Sequence, residues 1–200
     1  MSVIEEAEEH FRKAEKLSLV QDDKKRALVE YKKALELCPG MAEAHWRIGQ
    51  IYSSAKKPKL DLALEEFKEA IRLSPDWSEG YICAAHVLCK MGQFEEALQY
   101  YHDALRIDSN DSRIHFSLGY CLSDLGRYSE AVESYRKGLN LKQDYGDISA
   151  RMMLADALKE IGELDEAIRE WKIVAETEAV WDYEEHHQKK AKQILRELEA

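Results

Sequence analysis

The chain is predicted to be an all-α solenoid: five helix–turn–helix repeats closed by a C-terminal capping helix. Three observations carry this prediction. Residues 78–111 and 112–145 are 34-residue stretches that align without a gap, pairing Gly92 with Gly126, Phe94 with Tyr128, Ala97 with Ala131, Tyr101 with Tyr135 and Leu105 with Leu139. An alanine recurs well beyond that pair, at Ala27, Ala63, Ala97, Ala131 and Ala167, in steps of 36, 34, 34 and 36. Finally, 200 residues hold only three prolines and nine glycines, with 45% hydrophobic and 34% charged residues, which suits a soluble helical chain. A fixed period of this size marks a stack in which each unit buries its apolar face only against its neighbours.

The second helix of each repeat is read from the stripe that follows the alanine. Four residues on stands an aromatic ring, at Tyr31, Phe67, Tyr101, Tyr135 and Trp171. Three further come Ala34, Ala70, Ala104, Gly138 and Val174. Offsets of four and three keep these on one helical face, so small residues let helices approach while rings fill the space between. The first helices carry the matching half, with Ala14, Gly49, Ala85, Gly119 and Ala155, then Leu17, Tyr52, Leu88, Leu122 and Leu158 three residues later. The repeats therefore run over about 7–41, 42–77, 78–111, 112–145 and 146–181.

Departures from the pattern fall between helices or at the ends. Repeat 2 replaces the glycine turn with Ala55 to Lys59, where Pro58 stops helix continuation across a two-residue insertion. A second insertion lies at 144–147. Repeat 1 has Lys24 where the others have Leu60, Phe94, Tyr128 or Leu164. Residues 182–199 hold His187, Ala191, Ile194 and Leu198 at helical spacing among Lys189, Lys190, Lys192 and Arg196, which predicts an amphipathic capping helix. Short connections leave no room for a linker, so residues 1–200 are expected to form a single domain.

Period and residue pattern together resemble the tetratricopeptide repeat, and that resemblance implies a right-handed superhelix whose first helices line a concave groove. The family's groove positions 5 and 9 fall here on Trp46, Ile82, Phe116 and Met152, and on Gln50, His86, Tyr120 and Asp156, with Phe11 and Glu15 in repeat 1. Arg113 occupies another groove position. The resemblance thus implies an apolar ridge with a polar rim, suited to holding a peptide or helix of a protein partner. Family members that grip the acidic tail of heat-shock chaperones use several cations. Here the matching residues are Trp46, Gln50, Cys83, Arg113 and Ser117, so a carboxylate clamp is disfavoured.

Other function classes are argued against directly. The chain has no GxSxG, GxxxxGK[ST], HExxH or GxGxxG signature, so no catalytic residue and no cofactor is assigned. Cys83, His86 and Cys89 share a broad helical face, but a zinc site wants four ligands and no fourth is identifiable. No metal is assigned. A net charge of −10 argues against nucleic acid, which needs a cationic footprint. There is no secretory leader in the acidic first residues and no stretch long enough to span a bilayer. The four cysteines form no CxxC pair, and a cytoplasmic location with reduced thiols is expected. The alternative to groove binding is self-association, a homodimer formed through Trp77, Trp181 and the last helix.

Overall fold

The computed structural model describes residues 2–20, 22–141, 148–177 and 182–199. Among these the chain forms eleven α-helices and no strand: α1 (Val3–Glu15), α2 (Lys24–Leu37), α3 (Ala42–Ser53), α4 (Leu60–Leu73), α5 (Ser78–Lys90), α6 (Phe94–Ile107), α7 (Ser112–Asp124), α8 (Tyr128–Leu141), α9 (Ile148–Glu160), α10 (Leu164–Glu176) and α11 (Asp182–Glu199). A π-helical turn, Lys16–Val20, follows α1. Contacts divide the chain into two compact units, Met1–Ile107 and Asp108–Ala200. The insertion at 144–147 and Trp181 lie outside the described residues.

In the first unit the helices pack as the pairs α1/α2, α3/α4 and α5/α6, with α2 against α3 and α4 against α5. The predicted stripe is its core: Ala27, Ala34, Ala63, Ala70, Ala97 and Ala104 are fully covered, as are the rings of Tyr31, Phe67 and Tyr101. Burying a ring such as Phe67 contributes about 1.5–3 kcal/mol relative to exposure. The small partners are required by geometry, since a Cβ on Gly49 would stand 2.7 Å from a ring carbon of Phe67. Ser2 caps α1 in a reciprocal box with Glu5, satisfying donors that a helix start leaves open.

The second unit repeats this arrangement in α7/α8 and α9/α10, and α11 covers α10 and part of α9. Tyr135 and Trp171 are buried beside Ala131 and Ala167. A Cβ on Gly119 would fall 2.6 Å from a ring carbon of Tyr135, and one on Gly138 would fall 2.4 Å from a ring carbon of Phe116. Along α11, Ala191 is fully covered and Gln188 donates to the carbonyl of Thr177. Burial lowers the pKa of half-buried His187, with adjacent cationic groups acting in the same direction, while its neighbour His186 faces outward. Leu198, expected on the packing face, is instead exposed.

Three turns inside repeats share one construction. Gly92, Gly126 and Gly162 have φ of 75°, 71° and 86°, the left-handed region that side chains disfavour. The next N–H closes back on Leu88, Leu122 and Leu158 at 2.9 Å in each case. Repeat 2 has no such glycine, and its wider turn closes from Lys59 N–H to the Tyr52 carbonyl at 3.0 Å. Repeat 1 has a third solution. Its first helix widens into the π turn, Asp22 takes φ of 49°, and Asp23 N–H reaches the Leu17 carbonyl at 2.8 Å.

Candidate functional site

In the first unit, the wall made by α3 and α5 opens into a cleft of about 380 Å³. Its apolar surface comes from exposed Leu19 and half-buried Ile51, which lie over the buried side chains of Phe67 and Val87. Phe67 has no hydroxyl, unlike the ring of the neighbouring repeats. Tyr31 donates to Glu15 and the hydroxyl of Tyr101 lies 3.8 Å from Cys89 Sγ. Burial, reinforced by Glu15, holds the Tyr31 phenol above its ordinary range. The rim carries Gln50 and His86, the two predicted groove residues, with Ser18, Ser53 and Ser54. Lys24, Arg47 and Lys90 supply the charge.

Arg47 is fixed in place. Its Nε lies 2.9 Å from Glu15 Oε1, Nη1 donates to Gln50 at 3.4 Å, and the guanidinium sits 4.7 Å from the centre of the Trp46 ring. Trp46 in turn donates from Nε1 to Cys83 Sγ at 3.2 Å and packs 5.2 Å from Trp77. Trp46 is therefore half-buried, serving as the support of the rim's guanidinium as well as presenting part of its own surface. Trp77, invoked above for self-association, is engaged in this aromatic pair.

In the second unit, α7 and α9 carry the remaining predicted residues. Tyr120 is 46% exposed. Arg113 is also exposed, and its guanidinium grips Asp111 through Nε at 3.1 Å and Nη2 at 2.7 Å. Burial pushes the Asp111 carboxyl up, but these bonds more than reverse it and leave the pKa below its ordinary value. Phe116 is half-buried, with its ring edge in the space left by Gly138. The Asp156 carboxylate accepts from Trp171 Nε1 at 3.3 Å and from Lys190 Nζ of α11 at 3.0 Å, so its polar capacity is largely used inside the unit.

Two residues of the expected ridge need correction. Ile82 is 3% exposed and Met152 2% exposed, so neither offers a surface to a partner. The reason is crowding. α5 packs against α3, α4 and α6, and α9 against α7, α8, α10 and α11, so nearly every apolar side chain on these helices meets a neighbour. The ridge is thus interrupted, and what remains at the surface is part of Trp46 and Phe116 with Gln50, His86, Tyr120 and Arg113.

The other chemistry-bearing residues are used within the fold. His86 packs edge-on to the Tyr101 ring at 5.8 Å, and Cys83, which bonds Trp46, is one of four free cysteines. Among the described residues no group of three or more His, Cys, Asp or Glu side chains could hold a metal ion. No described helix is long and apolar enough to cross a membrane. Sequence reasoning missed the basic rim. Its one visible signal was Lys24, the charged exception at an otherwise apolar repeat position.

Two family models, both described as tetratricopeptide repeat, match residues 42–76 and 79–144. These stretches fall on the predicted second repeat and on the third and fourth together. No curated protein sequence matches the chain. Among solved structures, a MamA protein matches with a TM-score of 0.76 at 22% identity, over 84% of this chain and 90% of its own. YrrB, described as a TPR protein with an unusual peptide-binding site, matches at 0.71 and 26% identity, over 86% of this chain and 90% of its own. PilF of Pseudomonas aeruginosa matches at 0.76 and 20% identity, over 98% of this chain and 87% of its own.

Proposed function

Since the chain belongs to the tetratricopeptide-repeat family, we propose that it is a non-catalytic protein-interaction scaffold that holds a peptide or helix of a partner on its first-helix walls. The observation that carries this reading is the open cleft between α3 and α5, which joins an apolar surface to the rim of Gln50 and His86. A pre-formed recess with few, well-placed polar groups suits the anchoring of an extended segment, because its rigid helices leave the ordering cost with the partner. YrrB, similar in fold, is described by its peptide-binding site, which favours the same use of this surface. In the second unit the corresponding contacts fall to Phe116, Tyr120 and Arg113. The 34-residue register runs without a linker from residue 78 to 145, so the repeats are proposed to act as one domain. Four cysteines in no disulfide suit a reducing, cytoplasmic setting.

The test uses exposed groove residues, because Trp46 and Phe116 also support the fold. A His86→Ala, Tyr120→Ala double variant should lose most of the partner captured from a cell extract by the wild-type chain, while far-UV circular dichroism stays helical and unfolding stays cooperative. Undiminished capture would refute the assignment of these walls.

A further inference from the structure

We propose that the cleft of the first unit selects an acidic peptide segment, binding side-chain carboxylates along its rim and aliphatic side chains on its apolar surface. This rests on the scaffold reading above and deepens it by naming the chemistry of the occupant.

Asp and Glu make up 39 of 200 residues, about one in five, so a random lining of this size would carry two or three carboxylates. It carries none, while Lys24, Arg47 and Lys90 all line it. Glu15 and Glu43 offset Arg47, at 2.9 and 3.5 Å, so the positive excess of the cleft comes from Lys24 and Lys90. A cleft lined by one sign concentrates its field and raises the local concentration of the opposite charge.

Several lysines and arginines of the unit lie in ion pairs, as with Lys13 and Lys33 on Glu30, Lys68 on Glu96 and Arg72 on Glu69. Lys24 and Lys90 have no such partner among the described residues. Lys24 also breaks the repeat pattern, taking a position filled by Leu60, Phe94, Tyr128 and Leu164 in the other four repeats. Local rules tend to be broken where function requires it. Arg47 is held by Glu15, Glu43, Gln50 and the Trp46 ring, so it supports the rim and leaves the capture of a carboxylate to the two lysines.

These cations do not stand at the positions of the family's carboxylate clamp, which remain occupied by Trp46, Gln50 and Cys83 in this unit. The cleft is accordingly assigned to carboxylates within a segment, and a terminal carboxylate is not required.

A bead-displayed library of random peptides with amidated C-termini, screened against the full chain by fluorescence, separates the possibilities. The expected result is at least threefold enrichment of Asp and Glu among bound peptides, falling away as salt is raised. The Lys24→Glu, Lys90→Glu variant should reverse the preference toward Lys and Arg; both side chains are exposed, so its thermal midpoint should match the wild type. Inverted selectivity cannot arise from a damaged fold. Bound peptides with no acidic enrichment would overturn the charge assignment and leave the scaffold reading intact, as would enrichment that the variant retains. Failure to bind any peptide would also overturn it. The His86→Ala, Tyr120→Ala capture experiment judges the scaffold reading separately.

Discussion

Individual contacts at the helix crossings set the tolerance of this protein to substitution. The Gly119→Ala change would press a methyl group against the Tyr135 ring at a separation no Cβ tolerates. It should destabilise the second unit by about 1–3 kcal/mol in urea denaturation, as overpacking of a filled core does. Gly92→Ala meets nothing within 4 Å, yet φ of 75° imposes about 1–2 kcal/mol of backbone strain. Two substitutions of the same chemistry thus act through different causes. Charged pairs add a pH dependence. His45 Nδ1 lies 2.7 Å from Glu66 Oε2 across α3 and α4, and this bond raises the imidazole pKa against the opposing effect of burial. A raised folded pKa contributes stability that is full below the unfolded value near 6.5 and lost as pH rises through the folded value. The stability lost in a His45→Gln variant should therefore be greatest near pH 6 and shrink toward pH 9. Glu30 has the opposite sign. Bonding to His10, Lys13 and Lys33 holds its carboxyl down at about 2 despite burial, so its contribution is present above pH 4.5 and lost as pH falls toward 2. Glu30→Gln should flatten the acid limb of a stability–pH curve.

At the scale of the helix, much was legible and the reasons are physical. Alanine and aromatic positions spaced by four and three could occupy only one face, and every one of those second-helix residues is buried. Turns built on glycine were equally readable, because positive φ selects that residue. The surface of the first helices was not readable. Ile82 and Met152 looked like groove anchors from their repeat position, but helices packed on several sides bury apolar residues all around their circumference. Repeat position records rotation about a helix axis and leaves neighbour count unknown. The capping helix was visible as an amphipathic pattern, while the Lys190–Asp156 pair was not, since Lys190 stands in the capping helix, outside the repeat pattern that places Asp156. Because both members of that pair are roughly half exposed, Lys190→Ala should cost less than about 1 kcal/mol. Deleting residues 182–200 should act far more strongly, exposing the apolar surface beneath Ala191 and producing dye binding and a lower thermal midpoint.

At the scale of the whole molecule, the fold follows from repetition while the proposed recognition surface lies at the exceptions to it. Repeat 1 departs through the π turn and Lys24, and repeat 2 through Phe67 and the turn from Ala55 to Lys59. All border the same cleft or lie in its repeats. A metal contribution to stability is not expected anywhere among the described residues, so prolonged dialysis against a chelator should leave the unfolding midpoint unchanged. A downward shift would reopen the case of Cys83, His86 and Cys89. The Trp46–Trp77 ring pair has a practical consequence beyond packing. Two indoles 5.2 Å apart should couple electronically, and the cysteine sulfur 3.2 Å from the Trp46 nitrogen should quench its emission. Arg47 joins that pair to the rim, so an occupant of the cleft that shifts the guanidinium should alter the near-ultraviolet dichroism and emission of Trp46. The native chain thereby carries its own optical probe, readable by titration without any attached dye.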